Sequence, residues 1–206
     1  MQLECGPDHD RRVLNLDLAE YQKQGVFVSG GIDSALLYYL AHLENIRTNS
    51  NKNIRPIVIH RREGSKYFSY PIIEKIHNLL GVDSKIARLG DTTLPEPEQV
   101  KRAVQQAFQR PPYFEVVYVG VILNRPEHMI GFDQIAIERH ERVLIPFINL
   151  EKSHIIDMYY QLGIGSLLDY TFSCDQSETT ACGKCNGCRE RQWGFDQLKR
   201  KDTKHV

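Results

Sequence analysis

The sequence predicts an α/β fold: a doubly wound, Rossmann-like parallel sheet with helices on both faces and a small zinc-binding segment at its C-terminal end. Three observations predict it. Apolar runs of strand length alternate with longer stretches of helical period, the signature of βαβ units. The glycine-rich stretch Ser29-Gly30-Gly31-Ile32-Asp33-Ser34 lies directly between the first such strand and the first such helix. Cys174, Cys182, Cys185 and Cys188 fall close together, while Cys5 stands alone.

The chain has 206 residues, 41% hydrophobic and 25% charged, with 14 glycines and 9 prolines, which excludes collagen, coiled coil and wholesale disorder. At roughly 100–200 residues per domain, one enzyme-sized unit is expected. We place a nucleotide-binding α/β domain over 1–165 and a zinc-binding segment with a C-terminal helix, packed on the same domain, over 166–206. Twenty-six basic residues balance 26 acidic ones, so no global field draws the chain to nucleic acid or membrane. The most apolar run, VVYVGVIL at 116–123, is far shorter than the roughly 18 residues of a bilayer span, and MQLECGPDHDRR has no apolar signal core. A cytoplasmic protein is the expectation.

Taken in order, VFVSG within 25–30 reads as the first strand, and 34–44 as a helix with Leu36, Leu37, Leu40 and Leu43 along one side. Residues 54–60 read as a strand, 71–80 as a helix stopped by Gly81, and 84–89 as a third strand. A helix over 98–109, a strand over 115–121 after the Pro111-Pro112 turn, a strand over 143–147 and a helix over 151–162 ended by Gly163 complete the alternation. The cysteine segment then leads into a basic helix over 189–201. Ahead of the first strand, RVLNLDL is expected to pair at a sheet edge.

The glycine loop occupies a position that favours phosphate. Two glycines permit backbone geometry closed to other residues, and the first N–H groups of a helix point at an anion along its dipole. Ser29 and Ser34 add hydroxyl donors. Asp33 would repel a bare phosphate, so its presence implies either a helix cap or a magnesium ion shared with a nucleotide. A plain capped turn is the alternative for the loop as a whole. Neither GxGxxG nor GxxxxGK[ST] occurs.

The spacing Cys174-x7-Cys182-x2-Cys185-x2-Cys188 offers four thiolates to one tetrahedral zinc, a closed and therefore structural site. Gly183 and Gly187 lie where knuckle turns need positive φ or unhindered N–H groups, and Lys184, Arg189 and Arg191 would soften the negative charge. An iron–sulfur cluster and free thiols used in sulfur transfer are the competitors; ferredoxin-type sets carry a further cysteine and proline that are absent here.

SGGIDS in its strand–loop–helix setting resembles the PP-loop of the ATP pyrophosphatases, which split ATP to AMP and pyrophosphate while adenylating an oxygen of a second substrate. Together with LEKSHIIDMYYQLG at 150–163, TFSC at 171–174 and CGKCNGCRERQWGF at 182–195, it resembles the 7-cyano-7-deazaguanine synthases of queuosine precursor biosynthesis. The resemblance implies an adenine nucleotide alpha hydrolase-like fold, structural Zn²⁺, and ATP used as substrate with Mg²⁺. It implies a carbon–nitrogen ligase. ATP activates the carboxylate of 7-carboxy-7-deazaguanine, ammonia displaces AMP to give an amide, and a second activation dehydrates the amide to the nitrile. It places ATP at Phe27, Val28, Ser29, Gly30, Gly31, Ile32, Asp33, Ser34 and Ala35, with Asp33 and Lys152 catalytic. Lys152 follows Pro146 in a P-x5-K arrangement similar to other PP-loop enzymes, where it would reach the phosphates; an exposed helix-start lysine is the alternative.

His60, Arg61 and Arg62 follow the second strand at the edge where ligands bind, and would flank adenine or a carboxylate or else be solvated. The middle of the chain departs from the family: 109–147 keeps Gly120-Val121 but lacks the G-V-x-x-x-D-Y-S-G-Y-P-D-C-R-P-E-F stretch. Asp133, Glu138, Arg139, His140 and Arg142 stand in the replaced region as pocket groups or as a solvated face. Two other functions follow from these departures. One is the same adenylating core acting on another carboxylate or on a tRNA base awaiting sulfur. The other is a binding module without turnover, whose basic residues Arg189, Arg191, Lys199, Arg200, Lys201 and Lys204, with Trp193 and Phe195 to stack, would contact nucleic acid. A solvated helix is the favoured reading of that basic segment, and association of two copies as a homodimer stays open.

Overall fold

A computed structural model describes residues 1–18, 20–59, 66–91, 93–94, 96–123, 140–177 and 179–203. The expectations for His60, Arg61, Arg62, Asp133, Glu138, Arg139 and Lys204 lie outside the described residues.

Two strands open the chain, β1 (Gln2–Cys5) and β2 (Arg12–Asn15). The α/β alternation follows: β3 (Lys23–Phe27), α1 (Ile32–Thr48), β4 (Asn53–Ile59), α2 (Lys66–Leu80), β5 (Ala87–Leu89), α3 (Glu96–Gln109), β6 (Val116–Tyr118), β7 (Val143–Leu144) and α4 (Lys152–Gln161). A 3₁₀ helix (Gly165–Tyr170) and α5 (Asn186–Gln197) complete it. The five-stranded sheet has the order β5-β4-β3-β6-β7, and every neighbouring pair is parallel. The predicted α/β class is therefore the observed one.

Side chains alternate across a strand, and that period sorts the core into two layers. Val26, Val28, Ile54, Val58, Val116 and Tyr118 join α1, α2 and α4 on one face. Phe27, Ile57 and Val117 pack with Ala103 and Ala107 of α3 on the other. Strands buried on both faces read as continuous apolar runs, as at residues 56–59 and at Val116–Tyr118. α1 is covered almost all round: Ile32, Ser34 to His42 and Glu44 are all buried. The single leucine stripe expected of it is thus only part of a helix sheathed by α2 and α4.

Several predicted boundaries move. α2 begins at Lys66 and carries Pro71, the start expected from the sequence, in its interior. The strands at 84–89, 115–121 and 143–147 shorten to Ala87–Leu89, Val116–Tyr118 and Val143–Leu144 because parallel pairing persists only where a neighbour remains in register. RVLNLDL does not join the main sheet. Its first four residues pair antiparallel with Gln2–Cys5 as a separate hairpin. That hairpin docks on α4, where the Gly6 N–H donates to Asp157 Oδ2 at 2.8 Å and Arg11 reaches the same carboxylate at 3.2 Å.

Candidate active site

β3 and β6 are neighbours, yet the chain leaves β3 through α1 to β4 on one side and returns to β6 through α3 from the far edge. Their following loops diverge at this switch point, which is where doubly wound sheets hold ligands. The loop after β3 is the glycine stretch. Gly120, after β6, lies against Asp33 and Ser34.

The loop is shaped by its own residues. Gly30 has φ +92°, and a Cβ there would come within 2.7 Å of Phe68 Cβ, so both conformation and space demand glycine. Ser29 N–H donates to Ser34 Oγ at 3.1 Å, Gly31 N–H donates to Ser29 Oγ at 3.3 Å, and the two hydroxyls lie 3.0 Å apart. The serines thus knit the loop together rather than standing free as donors. Gly31 is the N-cap of α1 and brings no side-chain cap, and Asp33 stands in the first turn with its carboxylate on Lys152. The side chains of Phe27, Val28, Ile32 and Ala35 are buried in the core. Those four residues offer a ligand only their main chain.

Lys152 is not an exposed helix-start lysine. Its side chain is 4% exposed, and its Nζ lies 2.8 and 2.6 Å from the two carboxylate oxygens of Asp33 and 3.0 Å from Glu190 Oε2. Two elements far apart in sequence, the start of α1 and the start of α4, are joined here by an ion pair. Burial alone would push the ammonium down, but the charges of Asp33 and Glu190 outweigh it and hold it at about 12. Asp33 is pushed up, first by burial and then by the neighbouring Glu190, with Lys152 opposing. Sequence reasoning did not single out Glu190. One glutamate in a basic helix carries no signal until α5 is seen to lie against α4.

The four cysteines converge. All four sulfurs lie within 4.8 Å of one another, and Cys174 and Cys185 are 3.9 Å apart. A tetrahedral zinc with bonds of about 2.3 Å sets sulfurs about 3.8 Å apart, so the donor set fits. The N–H groups of Lys184 and Cys185 point at Cys182 Sγ from 3.4 and 3.3 Å, and these bonds pull its thiol down to about 6. Burial pushes Cys185 and Cys188 up. Gly183 has φ +69°, the conformation expected of a knuckle turn, whereas Gly187 is required for space, since a Cβ would run into the Ser173 carbonyl, and its N–H donates to Asp175 Oδ2 at 3.1 Å rather than to sulfur.

Arg191 does not serve the thiolates. It is fully buried, with Nε 2.6 Å from Asp202 Oδ2 and Nη1 donating to Thr171 Oγ1 at 2.9 Å. Phe195 is also buried, and Arg200 lies 3.9 Å over the ring of Tyr160. The basic helix therefore presents fewer groups to a nucleic acid than its sequence suggests. His140 stacks on Phe108 at 5.1 Å and Arg142 lies 4.2 Å from the same ring, which packs both against α3.

Comparison with known proteins matches residues 124–199 to the family model described as queuosine biosynthesis protein QueC. A 7-cyano-7-deazaguanine synthase of Nitratiruptor sp. is 24% identical over 214 aligned positions, covering 87% of this chain and 96% of that protein. The synthase of Methanosphaerula palustris is 36% identical over 86 residues, covering 39% of this chain, and that of Sulfurovum sp. 38% over 65 residues, covering 32%. These two matches span 38% and 28% of the relatives' own lengths. Among solved structures, an NMN synthetase from Francisella tularensis superposes with a TM-score of 0.52 at 14% identity, over 89% of this chain and 80% of that one, a likeness of fold. None of the described helices is long and apolar enough to cross a membrane. The chain is thus similar to the 7-cyano-7-deazaguanine synthases, at low identity over most of its length and to the family model over residues 124–199.

Proposed function

We propose that the chain is an ATP-dependent adenylating enzyme that converts a deazaguanine-type carboxylate and ammonia to the nitrile, 7-cyano-7-deazaguanine. One observation carries this reading: α4 delivers a buried lysine to Asp33 at the mouth of a glycine loop lying at the switch point of the sheet. Loop N–H groups and the α1 dipole would cradle the pyrophosphate portion of ATP, with Asp33 facing magnesium and Lys152 the phosphates. When bound, magnesium supplies charge neutralisation on the leaving pyrophosphate.

A substrate carboxylate oxygen attacks the α-phosphorus, and the bond to pyrophosphate breaks. Ammonia then adds to the acyl carbon, AMP leaves, and a proton is lost to give the amide. A second ATP adenylates the amide oxygen; loss of AMP and the remaining amide protons gives the nitrile. No side-chain nucleophile is needed, so catalysis is by position and charge. The cysteine cluster fits a structural zinc with no open coordination position.

A second reading keeps the same core and changes the acceptor. It is favoured by one fact: 109–147 lacks the aspartate–tyrosine–cysteine stretch of the synthases. Zinc-loaded protein incubated with Mg-ATP, ammonium and 7-carboxy-7-deazaguanine, with substrate mass followed, separates the two. A nitrile product is the expected result. Nucleotide turnover or binding without conversion of that carboxylate would move the function to another acceptor.

A further inference from the structure

The cysteine segment does more than follow the α/β core, because it touches the glycine loop at several points. Phe172 N–H donates to the Gly30 carbonyl at 3.0 Å, and the Phe172 ring stacks on Phe68 at 4.1 Å and 9°, beside Gly30. α5 starts inside the cluster, with Cys185 as its N-cap and Cys188 in its first turn. Its Gly194 lets the helix close on the lysine stem, since a Cβ there would lie 2.8 Å from Lys152 Cγ. Glu190, in the same helix, sits 3.0 Å from the ammonium.

One buried cation thus faces two carboxylates, and these come from different places: Asp33 from the loop and Glu190 from the cysteine helix. If Asp33 were its only carboxylate, a turn of Asp33 toward a metal would leave the ammonium with no counter-charge from the protein itself in a poorly solvated site, which is strongly unfavourable until a phosphate reaches it. With Glu190 in place the lysine keeps a counter-charge throughout. We propose that Glu190 is a positioning residue that retains Lys152 when Asp33 turns to magnesium, so that the cysteine segment tunes the metal response of the nucleotide loop. This inference rests on the adenylating reading above.

The test compares wild type with Glu190→Gln for binding of ATP by calorimetry, with and without added Mg²⁺, alongside zinc content and thermal melting. With Glu190 neutral, Lys152 belongs wholly to Asp33, and Asp33 is less available to the metal. Mg-ATP should then bind about ten-fold more weakly, the size of one lost charge-assisted contact. ATP without magnesium should bind no more weakly than to wild type, because the site has lost a negative charge. Glu190→Asp, which keeps the charge but withdraws it, should show a smaller loss of the same kind; it stands in if the glutamine variant does not fold. Equal affinities for Mg-ATP in wild type and variant, or equal losses with and without the metal, would overturn the proposal. Wild type that binds no ATP in either form would instead overturn the adenylating reading itself.

Discussion

At the residue scale, the site is governed by charges placed where water is scarce. Lys152 is held by two carboxylates, and removing it leaves both without a cation among the described residues. Lys152→Met should therefore lower stability by about 3 kcal/mol in urea unfolding. Combining it with Asp33→Asn and Glu190→Gln should recover most of that loss, because no charge is then left unpaired. Single and triple variants of equal stability would mean that the cluster is solvated. Arg191 and Asp202 make a second buried pair, 0% and 2% exposed, that ties the end of the chain to Thr171 and the Leu168 carbonyl. Arg191→Lys keeps the charge but not the planar fork, so it should be destabilising by about 1–2 kcal/mol in the same measurement. An unchanged midpoint would contradict this role.

At the element scale, α1 and α2 meet through Tyr38, His42 and His77. The Tyr38 hydroxyl lies 2.6 Å from His77 Nε2, and His42 packs edge-on to Tyr38 with its own Nε2 buried and unpaired among the described residues. Burial, with His77 nearby, holds His42 down at about 4, whereas an unfolded histidine titrates near 6.5. As pH falls, the unfolded chain therefore binds the proton first. The stability contributed by neutral His42 is complete above about pH 6.5 and is lost toward pH 4, amounting to roughly 3 kcal/mol. His42→Phe should flatten the fall in urea-unfolding stability between pH 7 and 4.5 by most of that amount. A variant with the wild-type slope would place the acid sensitivity elsewhere.

At the scale of the whole molecule, zinc bound by the four cysteines, as proposed above, would clamp the C-terminal part, and Cys185→Ser alters a buried thiol that is also the N-cap of α5. If the cluster holds zinc, the variant should bind none, and its melting temperature should fall by roughly 10 °C. Unchanged melting with zinc lost would make the cluster dispensable for the fold. Legibility followed the same division. Parallel strands and the glycine loop were readable because burial on both faces and a strand–glycine–helix sequence leave local marks, as at Ile54–Ile59 and Ser29–Ser34. The cysteines were readable from spacing. Lys152 was visible only as one of two alternatives, and Glu190 and the buried fate of Arg191 were not visible at all. Their roles depend on how α5 lies on α4, and no periodicity within either helix encodes that contact.

The most direct test of the central claim is release of AMP and pyrophosphate from Mg-ATP, in the presence of ammonium and 7-carboxy-7-deazaguanine, by wild type and by Asp33→Ala. Wild type is expected to release equimolar AMP and pyrophosphate and the variant at least a hundred-fold less, on the order of one lost electrostatic contact in a transition state, with bound metal unchanged. AMP production by Asp33→Ala at the wild-type rate would contradict the assignment of the loop.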